Sequence, residues 1–322
     1  MVKVLITGIS GFIGSFLAEY LLKKDMDVYG TILEYEQNEI ANIKHIIDEL
    51  HLIECDIRKR GLVEKIIHES KPDVVFHLAS QAYVVFSWED PITTFETNVL
   101  GTIYLFEALK RSNVNPVVIM ACSSSEYGDT AFLRIPLKET DPLQPLSPYA
   151  VSKATQDLLS YQYYKSFGLK TVRARIFGTI GPKKRGDVCA DFAEQIAKIE
   201  AGISKPVMSV GNLETRRDLT DVRDMIEALY LLSIRGRCGD VYNLCKGQAY
   251  KIVDILKKFL EISRVKIEVQ PDPQKMRFCD EPIILGENEK IKRECGWLPQ
   301  IPIERSLQDI LDYWRAYFAG GN

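Results

Sequence analysis

Val2-Lys3-Val4-Leu5-Ile6-Thr7-Gly8-Ile9-Ser10-Gly11-Phe12-Ile13-Gly14 opens the chain and decides its fold. Val2 to Ile6 reads as a strand buried on both faces, because its apolar residues follow one another without the alternation of a half-exposed strand. Apolar residues at Phe12, Ile13, Phe16, Leu17, Tyr20 and Leu21 then recur at helical spacing. A buried strand, a glycine turn and a helix together begin a parallel sheet. The rhythm continues outward from there. Asp27 to Leu33, Leu52–Ile53, Val74–Phe76, Pro116–Met120 and Thr171–Ile176 read as further short strands, with helical patterns near 61–69, 94–111 and 150–166 between them. Strands and helices alternating at this pitch predict an α/β fold, a doubly wound parallel sheet of the Rossmann type with helices on both faces.

After about residue 177 the rhythm loosens around Gly178, Gly181, Pro182 and Gly186. Asp221–Leu232 reads as a helix and Val241–Leu244 as a strand that rejoins the sheet. The expected division is a dinucleotide-binding domain over 1–177, with 218–244 returning to it. A smaller α/β substrate domain takes 178–217 and 245–322. Composition narrows the class. The 322 residues are 46% hydrophobic and 26% charged with a net charge of −3, which gives no electrostatic reason to expect nucleic acid or an anionic membrane. No apolar run approaches the roughly 18 residues of a membrane span. A strand beginning at Val2 leaves no room for a signal peptide, so the expected location is cytoplasmic. The seven cysteines are odd in number and form no CxxC pair, and the four histidines lie at no metal-ligand spacing. Reduced thiols are expected, and no metal.

The glycines of the first turn have separate tasks. Gly8 permits the tight turn, Gly11 lets a pyrophosphate approach the backbone, and Gly14 lets the helix pack closely on the sheet. The free N–H groups that follow Ser10, from Phe12 and Ile13 onward, then face the phosphates. The end of the second strand, Gly30-Thr31-Ile32-Leu33-Glu34, carries neither an unambiguous ribose-binding carboxylate nor an arginine for a 2′-phosphate. Glu34 favours NAD, or is a solvated loop carboxylate, and NADP stays open.

Tyr149 and Lys153 form Tyr-x-x-x-Lys near the start of a helix, on one face. An ammonium beside the phenol is expected to lower the tyrosine pKa and allow proton exchange near neutral pH. A surface pair is the blander reading of such spacing. Upstream, the apolar strand Val117–Met120 ends in Ser123-Ser124-Ser125-Glu126-Tyr127-Gly128. A hydroxyl at that strand end, at the edge where such sheets bind ligands, can bond the oxygen of a carbon that exchanges hydride. Otherwise the run is a serine-rich turn.

The glycine turn, the serine-bearing strand end and Tyr149/Lys153 together resemble the extended short-chain dehydrogenase/reductase family over essentially the whole chain. The resemblance implies an NAD(P)-dependent oxidoreductase with a triad of Ser123, or the neighbouring Ser124 or Ser125, with Tyr149 and Lys153. It also implies that Asp56-Ile57 contacts the adenine and that Leu78, Ala79, Ser80 and Ile176 lie beside the cofactor. Asn98 corresponds to the family's structural asparagine. Val210-Gly211-Asn212-Leu213-Glu214 with Arg217-Asp218, then Arg277 with Asp280-Glu281-Pro282, and Gly296-Trp297-Leu298-Pro299 resemble the branch that acts on GDP-sugars. In that branch Arg217 and Arg277 match the diphosphate-binding arginines, and Ser125, Glu126, Tyr149, Gly178 and Asp280 fall at the substrate. Gly178 stands where the branch usually has asparagine.

The branch contains both a 4,6-dehydratase and a 4-keto reductase. By resemblance, related dehydratases carry a glutamate two residues after the catalytic hydroxyl and some an aspartate just before it; counted without a gap, those positions are Ser125 and Ser124, and neither can serve as that acid. The expected activity is therefore reduction of GDP-4-keto-6-deoxy-mannose to a GDP-rhamnose type product. Dehydration, with Glu126 as the acid, remains the alternative, as does 4-epimerisation. A dinucleotide-binding sensor is the non-enzyme alternative. By resemblance the chain forms a homodimer through the helices near 95–110 and 150–166, where Leu158, Leu159, Tyr161 and Tyr164 lie.

Overall fold

The computed structural model describes residues 1–36, 40–129, 135–276 and 281–320. Its main sheet is parallel and seven-stranded, in the order β3-β2-β1-β4-β5-β6-β10. The strands are β1 (Lys3–Thr7), β2 (Asp27–Ile32), β3 (His51–Glu54), β4 (Val74–His77), β5 (Val117–Ser123), β6 (Lys170–Ile176) and β10 (Val241–Leu244). The order reverses between β1 and β4, which opens a crevice at the carboxyl ends of these strands. The predicted Rossmann-type doubly wound sheet is thus present.

Helices α1 (Phe12–Leu22), α2 (Arg60–Ser70), α3 (Val84–Glu89), α4 (Pro91–Phe95), α5 (Gly101–Arg111) and α6 (Pro148–Phe167) belong to this first half. The helix expected over 94–111 is divided. A π turn over Glu96–Leu100 separates α4 from α5 and turns Asn98 fully inward. The first core has two faces. Ile6, Leu17, Phe76, Met225, Leu229 and Tyr242 fill one; Leu5, Val75, Leu105, Phe106, Val118 and Met120 fill the other. Strands buried on both sides need such continuous apolar runs, which is what β1 and β5 supply.

Beyond β6 the chain builds a second layer. It contains β7 (Gly178–Ile180), β8 (Val207–Val210), β9 (Arg216–Asp221), β11 (Ala249–Lys251), β12 (Glu268–Pro271) and β13 (Ile283–Ile284). Strand β9 pairs with β7, β11 and β13, while β12 pairs with β8. Helices α7 (Val188–Glu200), α9 (Ile252–Ile262) and α11 (Ile303–Phe318) close a second core around Phe192, Ile196, Phe259, Leu311 and Trp314. Helix α8 (Val222–Arg235) packs into the first core. Two boundaries differ from the expected division. Residues 218–221 lie in the second sheet. The segment through α10 (Glu289–Cys295) buries Ile291, Cys295 and Trp297 against the first core. Trp297 is anchored there by its Nε1, which donates to the Asp224 carbonyl at 2.9 Å.

One carboxylate joins the two layers. Asp218 accepts N–H bonds from Lys246 at 2.8 Å and Gly247 at 3.0 Å, just past β10, and is approached by the Gly286 N–H at 3.4 Å, just past β13. Burial pushes this carboxyl up to about 7, against the pull of those N–H groups.

Candidate active site

The glycine turn is built as its sequence implies. Gly8 has φ +72, a region that L side chains rarely adopt, and a Cβ there would sit 2.9 Å from Ala79 Cα. A Cβ on Gly14 would lie 2.3 Å from the Gly8 carbonyl oxygen, so α1 can pass this close only with glycine. Gly11 differs. Its added Cβ would meet only Gly8 O, at 3.3 Å, and it caps α1 without any side-chain hydrogen bond. The first-turn N–H groups of Phe12, Ile13 and Gly14 therefore begin a helix whose mouth is kept free of side chain, a ready anion cradle. Ser10 is buried, and its carbonyl accepts from Asn42 Nδ2 at 2.9 Å.

The end of β4 is locked beside this cradle. Thr7 Oγ1 receives the N–H groups of Leu78 and Ala79, both at 3.1 Å, and bonds His77 Nδ1 at 2.8 Å. His77 Nε2 reaches Thr102 Oγ1 at 3.0 Å. Burial, then the nearby Lys153 charge, pushes this imidazole down to about 3, so it is neutral. Ser80 continues the same loop, with Oγ 3.4 Å from the Leu78 carbonyl. Asn98 accepts from the Gln81 N–H at 2.8 Å and donates to the Gln81 carbonyl at 3.1 Å and to Ser152 Oγ at 2.9 Å. At the far end of the crevice Asp56 is held by Arg58, through Nε at 3.0 Å and Nη2 at 2.9 Å. That bond keeps its carboxyl below the usual range. Ile57 is buried against the face of Gly101. Glu34 is exposed beyond β2. Together the cradle, the Leu78–Ser80 loop and the Asp56 end fit a dinucleotide laid across the strand ends.

The side chains expected to act in catalysis come from β5 and α6. Ser147 caps α6, accepting the Ala150 N–H at 3.1 Å, and Pro148 occupies its first turn. This start fixes Tyr149 in the first turn and Lys153 one turn on. Lys153 is 4% exposed, and its Nζ donates to the Ala121 carbonyl at 2.9 Å. Its Nζ stands 5.9 Å from the centre of the Tyr149 ring. The direct partner of the Tyr149 hydroxyl is Ser123. Ser123 is the last residue of β5, in register with Ile176 of β6. Its Oγ also accepts the Ser125 N–H at 3.2 Å. Ser124 is buried and Ser125 half-buried. Of the three serines, Ser123 is the one that stands beside the Tyr149 hydroxyl.

The expected depression of the tyrosine pKa is not found. Burial pushes Tyr149 up to about 12, opposed by the Ser123 side chain, because its hydroxyl end is desolvated; the Lys153 ammonium donates to the Ala121 carbonyl. Burial likewise pushes Lys153 down to about 8.

Glu126 is also not where a substrate acid would be. It is completely buried, and Oε1 accepts the Ser123 N–H at 2.6 Å. The short 3₁₀ turn Ser124–Glu126 folds it back to cap the strand end from inside. Behind it lies a network that the sequence reading missed. Arg175 Nε donates to Asp157 Oδ2 at 2.9 Å and stands 3.6 Å from Glu126 Oε2. Arg175 Nη1 donates to the Tyr127 hydroxyl at 3.0 Å, which donates to Asn243 Oδ1 at 2.6 Å. Cys122, Glu126 and Asp157 bring ligand-type atoms within 4.8 Å of one another, but the Arg175 guanidinium already supplies positive charge there. The available signal was two arginines, Arg173 and Arg175, alternating with the apolar Val172, Ala174 and Ile176 of one strand.

Gly178 begins β7, and a Cβ on it would meet the Asp218 carbonyl at 2.6 Å. Close pairing of β7 with β9 thus explains glycine at this position. Arg217 is tethered, its Nη1 donating to the Glu281 carbonyl at 2.7 Å. Arg277 and Asp280 lie outside the described residues. The basic run that follows Pro182 is committed to internal contacts. Lys183 pairs with Glu19 at 2.8 Å, Lys184 with Asp187 at 2.6 Å, and Arg185 stacks over Trp314 and Tyr317.

Known proteins resemble this chain in sequence and fold. A family described as GDP-mannose 4,6 dehydratase matches residues 5–310. A GDP-6-deoxy-D-mannose reductase of Pseudomonas aeruginosa is 32% identical over 315 residues, covering 98% of this chain and 97% of the relative. The structure of RMD from Pseudomonas aeruginosa complexed with NADPH superimposes with a TM-score of 0.85 at 30% identity, covering 98% of this chain and 100% of that one. The UDP-glucose 4-epimerase of Thermus thermophilus in complex with NAD gives 0.86 at 29% identity, covering 98% and 99%. With its cradle, its Ser123–Tyr149–Lys153 grouping and a match across nearly its full length, the chain belongs to the GDP-mannose 4,6-dehydratase family, within the extended short-chain dehydrogenases/reductases.

Proposed function

We propose that the protein is an NAD(P)H-dependent reductase of a GDP-linked 4-keto-6-deoxy sugar, yielding a GDP-rhamnose type product. The observation that carries this reading is the placing of Ser123 beside Tyr149 at a strand end where Ser125 holds the position of the dehydratase acid. Glu126, the other candidate acid, is sealed inside. A reduction needs one proton donor, and that is what the strand end offers. The reductase name of the Pseudomonas aeruginosa relative supports the same choice.

The nicotinamide dinucleotide supplies the hydride. The first-turn N–H groups around Gly11 hold its diphosphate, and Asp56 and Ile57 lie at its adenine end. Ser123 donates a hydrogen bond to the sugar's 4-keto oxygen and so draws electron density from the carbon. Tyr149, protonated at neutral pH, gives its proton to that oxygen as the alkoxide forms. Lys153 fixes the strand end through Ala121 and supplies positive charge beneath the reaction. Arg217 binds the sugar-nucleotide diphosphate, and holding both reactants supplies much of the acceleration. Glu34 favours NADH, while the relatives' NADPH and NAD complexes keep both forms in play.

Oxidation of NADH and NADPH, followed optically against a panel of keto-sugar nucleotides, tests the reading. Turnover confined to 4-keto-6-deoxy sugars on GDP is expected. Conversion of GDP-mannose with no net cofactor consumption overturns it in favour of dehydration.

The protein is further proposed to work as a homodimer in the cytosol. Leu100, Val151, Leu158 and Tyr161 are exposed on the π turn and α6 and offer a second copy an apolar face. Cys55, Cys122, Cys189, Cys245 and Cys295 are buried free thiols, which suits a reducing compartment. Light scattering that returns a monomer at micromolar concentration rules out the dimer.

A further inference from the structure

A buried carboxylic acid next to three reacting side chains, yet closed off from the crevice, requires a reason to be there. Isolated burial of such a group is costly, and an apolar side chain at the same place would avoid the cost. Glu126 has one oxygen engaged, by the Ser123 N–H at 2.6 Å. Its other oxygen, Oε2, is buried without a hydrogen bond, 3.6 Å from Arg175 Nε. Arg175 turns its Nε instead to Asp157 Oδ2 at 2.9 Å. Glu126 is thus the partly satisfied member of an otherwise closed ionic cluster.

We propose that Glu126 is a positioning residue for the reaction: it fixes Ser123 through the backbone N–H and, once ionised, holds the Lys153 ammonium charged beneath Tyr149. The inference rests on the reductase reading for its kinetic consequence, though not for its physical content.

Every element around Glu126 contributes a charge or a dipole. Arg175 faces it from β6, Asp157, Lys153 and Tyr149 from α6, and Cys122 from β5. The Cys122 thiol is held far above its ordinary range, chiefly by burial, and stays neutral. Burial and then the Asp157 charge push Glu126 up to about 8, while Arg175, the Ser123 N–H and Lys153 pull the other way. Glu126 in turn raises Lys153, against the burial that lowers it to about 8. Burial thus shifts the two groups toward each other, the acid upward and the ammonium downward. As the acid ionises, its new negative charge opposes proton loss from the ammonium, so the working state persists to higher pH than Lys153 alone would allow.

The test is E126Q, an isostere of the protonated acid. Its kcat loss is expected to grow from about two-fold at neutral pH to about ten-fold in the alkaline range, as the alkaline limb moves down by about one pH unit. KM for the sugar nucleotide should stay put, because Glu126 does not reach the crevice. In E126Q labelled with ¹³Cε-lysine, the Lys153 midpoint should fall by about the same amount. An unmoved limb and midpoint overturn the proposal, as does a KM increase of tenfold or more, which would make Glu126 a substrate contact. Should E126Q fail to fold, the side-chain carboxyl ¹³C signal of Glu126 in the wild-type chain decides. A midpoint above pH 7 supports the proposal, and one in the ordinary carboxylate range ends it. If the wild type reduces no keto sugar, the reductase reading fails, and the two resonance titrations still decide the role of Glu126.

Discussion

Asn98 Nδ2 donates to Ser152 Oγ at 2.9 Å, and so ties the loop after β4 to the helix that carries Tyr149 and Lys153. The same side chain holds Gln81 from both sides, by its N–H and its carbonyl. One buried amide thus sets the distance between the cofactor side of the crevice and the proton donor. Asn98→Ala leaves these groups without partners and should cost about 2–4 kcal/mol of stability. Urea denaturation measures it, and a loss below about 0.5 kcal/mol would show that the amide is not holding the two elements together.

Tyr149→Phe removes the proton donor and keeps the ring. A fall in kcat of about 10²–10⁴-fold is expected, with folding and dinucleotide binding retained. Steady-state kinetics with the keto sugar, alongside a cofactor-binding titration, separates the two effects. Full turnover in this variant would remove Tyr149 from the mechanism.

Turnover should fall as pH rises through about 8. Burial lowers the Lys153 pKa from the ordinary value of 10.5 to about 8, so its charge is lost about two and a half units earlier than on an exposed lysine. The sign is fixed by the group: the protonated form is the charged and working one, present below the midpoint and lost above it. Tyr149, near 12, keeps its proton throughout this range and adds no limb of its own. A kcat profile flat to pH 10 would contradict the assignment.

The glycines of the first turn predict opposite failures. Gly14→Ala forces a Cβ within 2.3 Å of a backbone oxygen, so the chain should lose its native fold or give aggregated protein. Gly11→Ala adds a methyl group that touches one oxygen at 3.3 Å and otherwise points to the mouth of α1. That variant should fold with near-normal thermal stability and bind dinucleotide at least ten-fold more weakly. Calorimetric titration distinguishes the two, and equal cofactor affinity in Gly11→Ala would mean that the mouth of α1 is not the phosphate site.

Arg175→Met takes the positive charge from between Glu126 and Asp157. Breaking a buried ion cluster from one side is expected to cost about 3–5 kcal/mol, and adding Asp157→Asn should recover part of it. A double-mutant cycle with no coupling would contradict the contact.

Much of this was legible in the chain. The glycine turn and the apolar runs of β1 and β5 announce the parallel sheet, because a strand covered on both faces has few other ways to look. Spacing alone put Tyr149 and Lys153 on one helix face and a serine-bearing turn at a strand end, while their joint role came from the family resemblance, and which of the three serines stands beside Tyr149 was not legible in the sequence. What stayed hidden depended on tertiary direction. Glu126 sits in a serine-rich turn whose sequence places it at the substrate, and only the three-residue 3₁₀ turn reverses it into the interior. The upward shift of Tyr149 follows from burial, which depends on how distant parts of the chain close around its hydroxyl end. Trp297 buries itself against α8 rather than in the second core, and no local period marks that choice. Arg277 and Asp280 fall among the residues that are not described, so their expected contact with substrate stands as a proposal.

Asp218 has a consequence for how the molecule comes apart. A single carboxylate grips backbone from the turn that leaves the large sheet and from the strand that closes the small one, while α8 and Trp297 carry later sequence back across the boundary. Neither half is a continuous stretch of polypeptide, so a protease cut near residue 180 would release no self-sufficient fragment, and heating should produce one calorimetric peak rather than two.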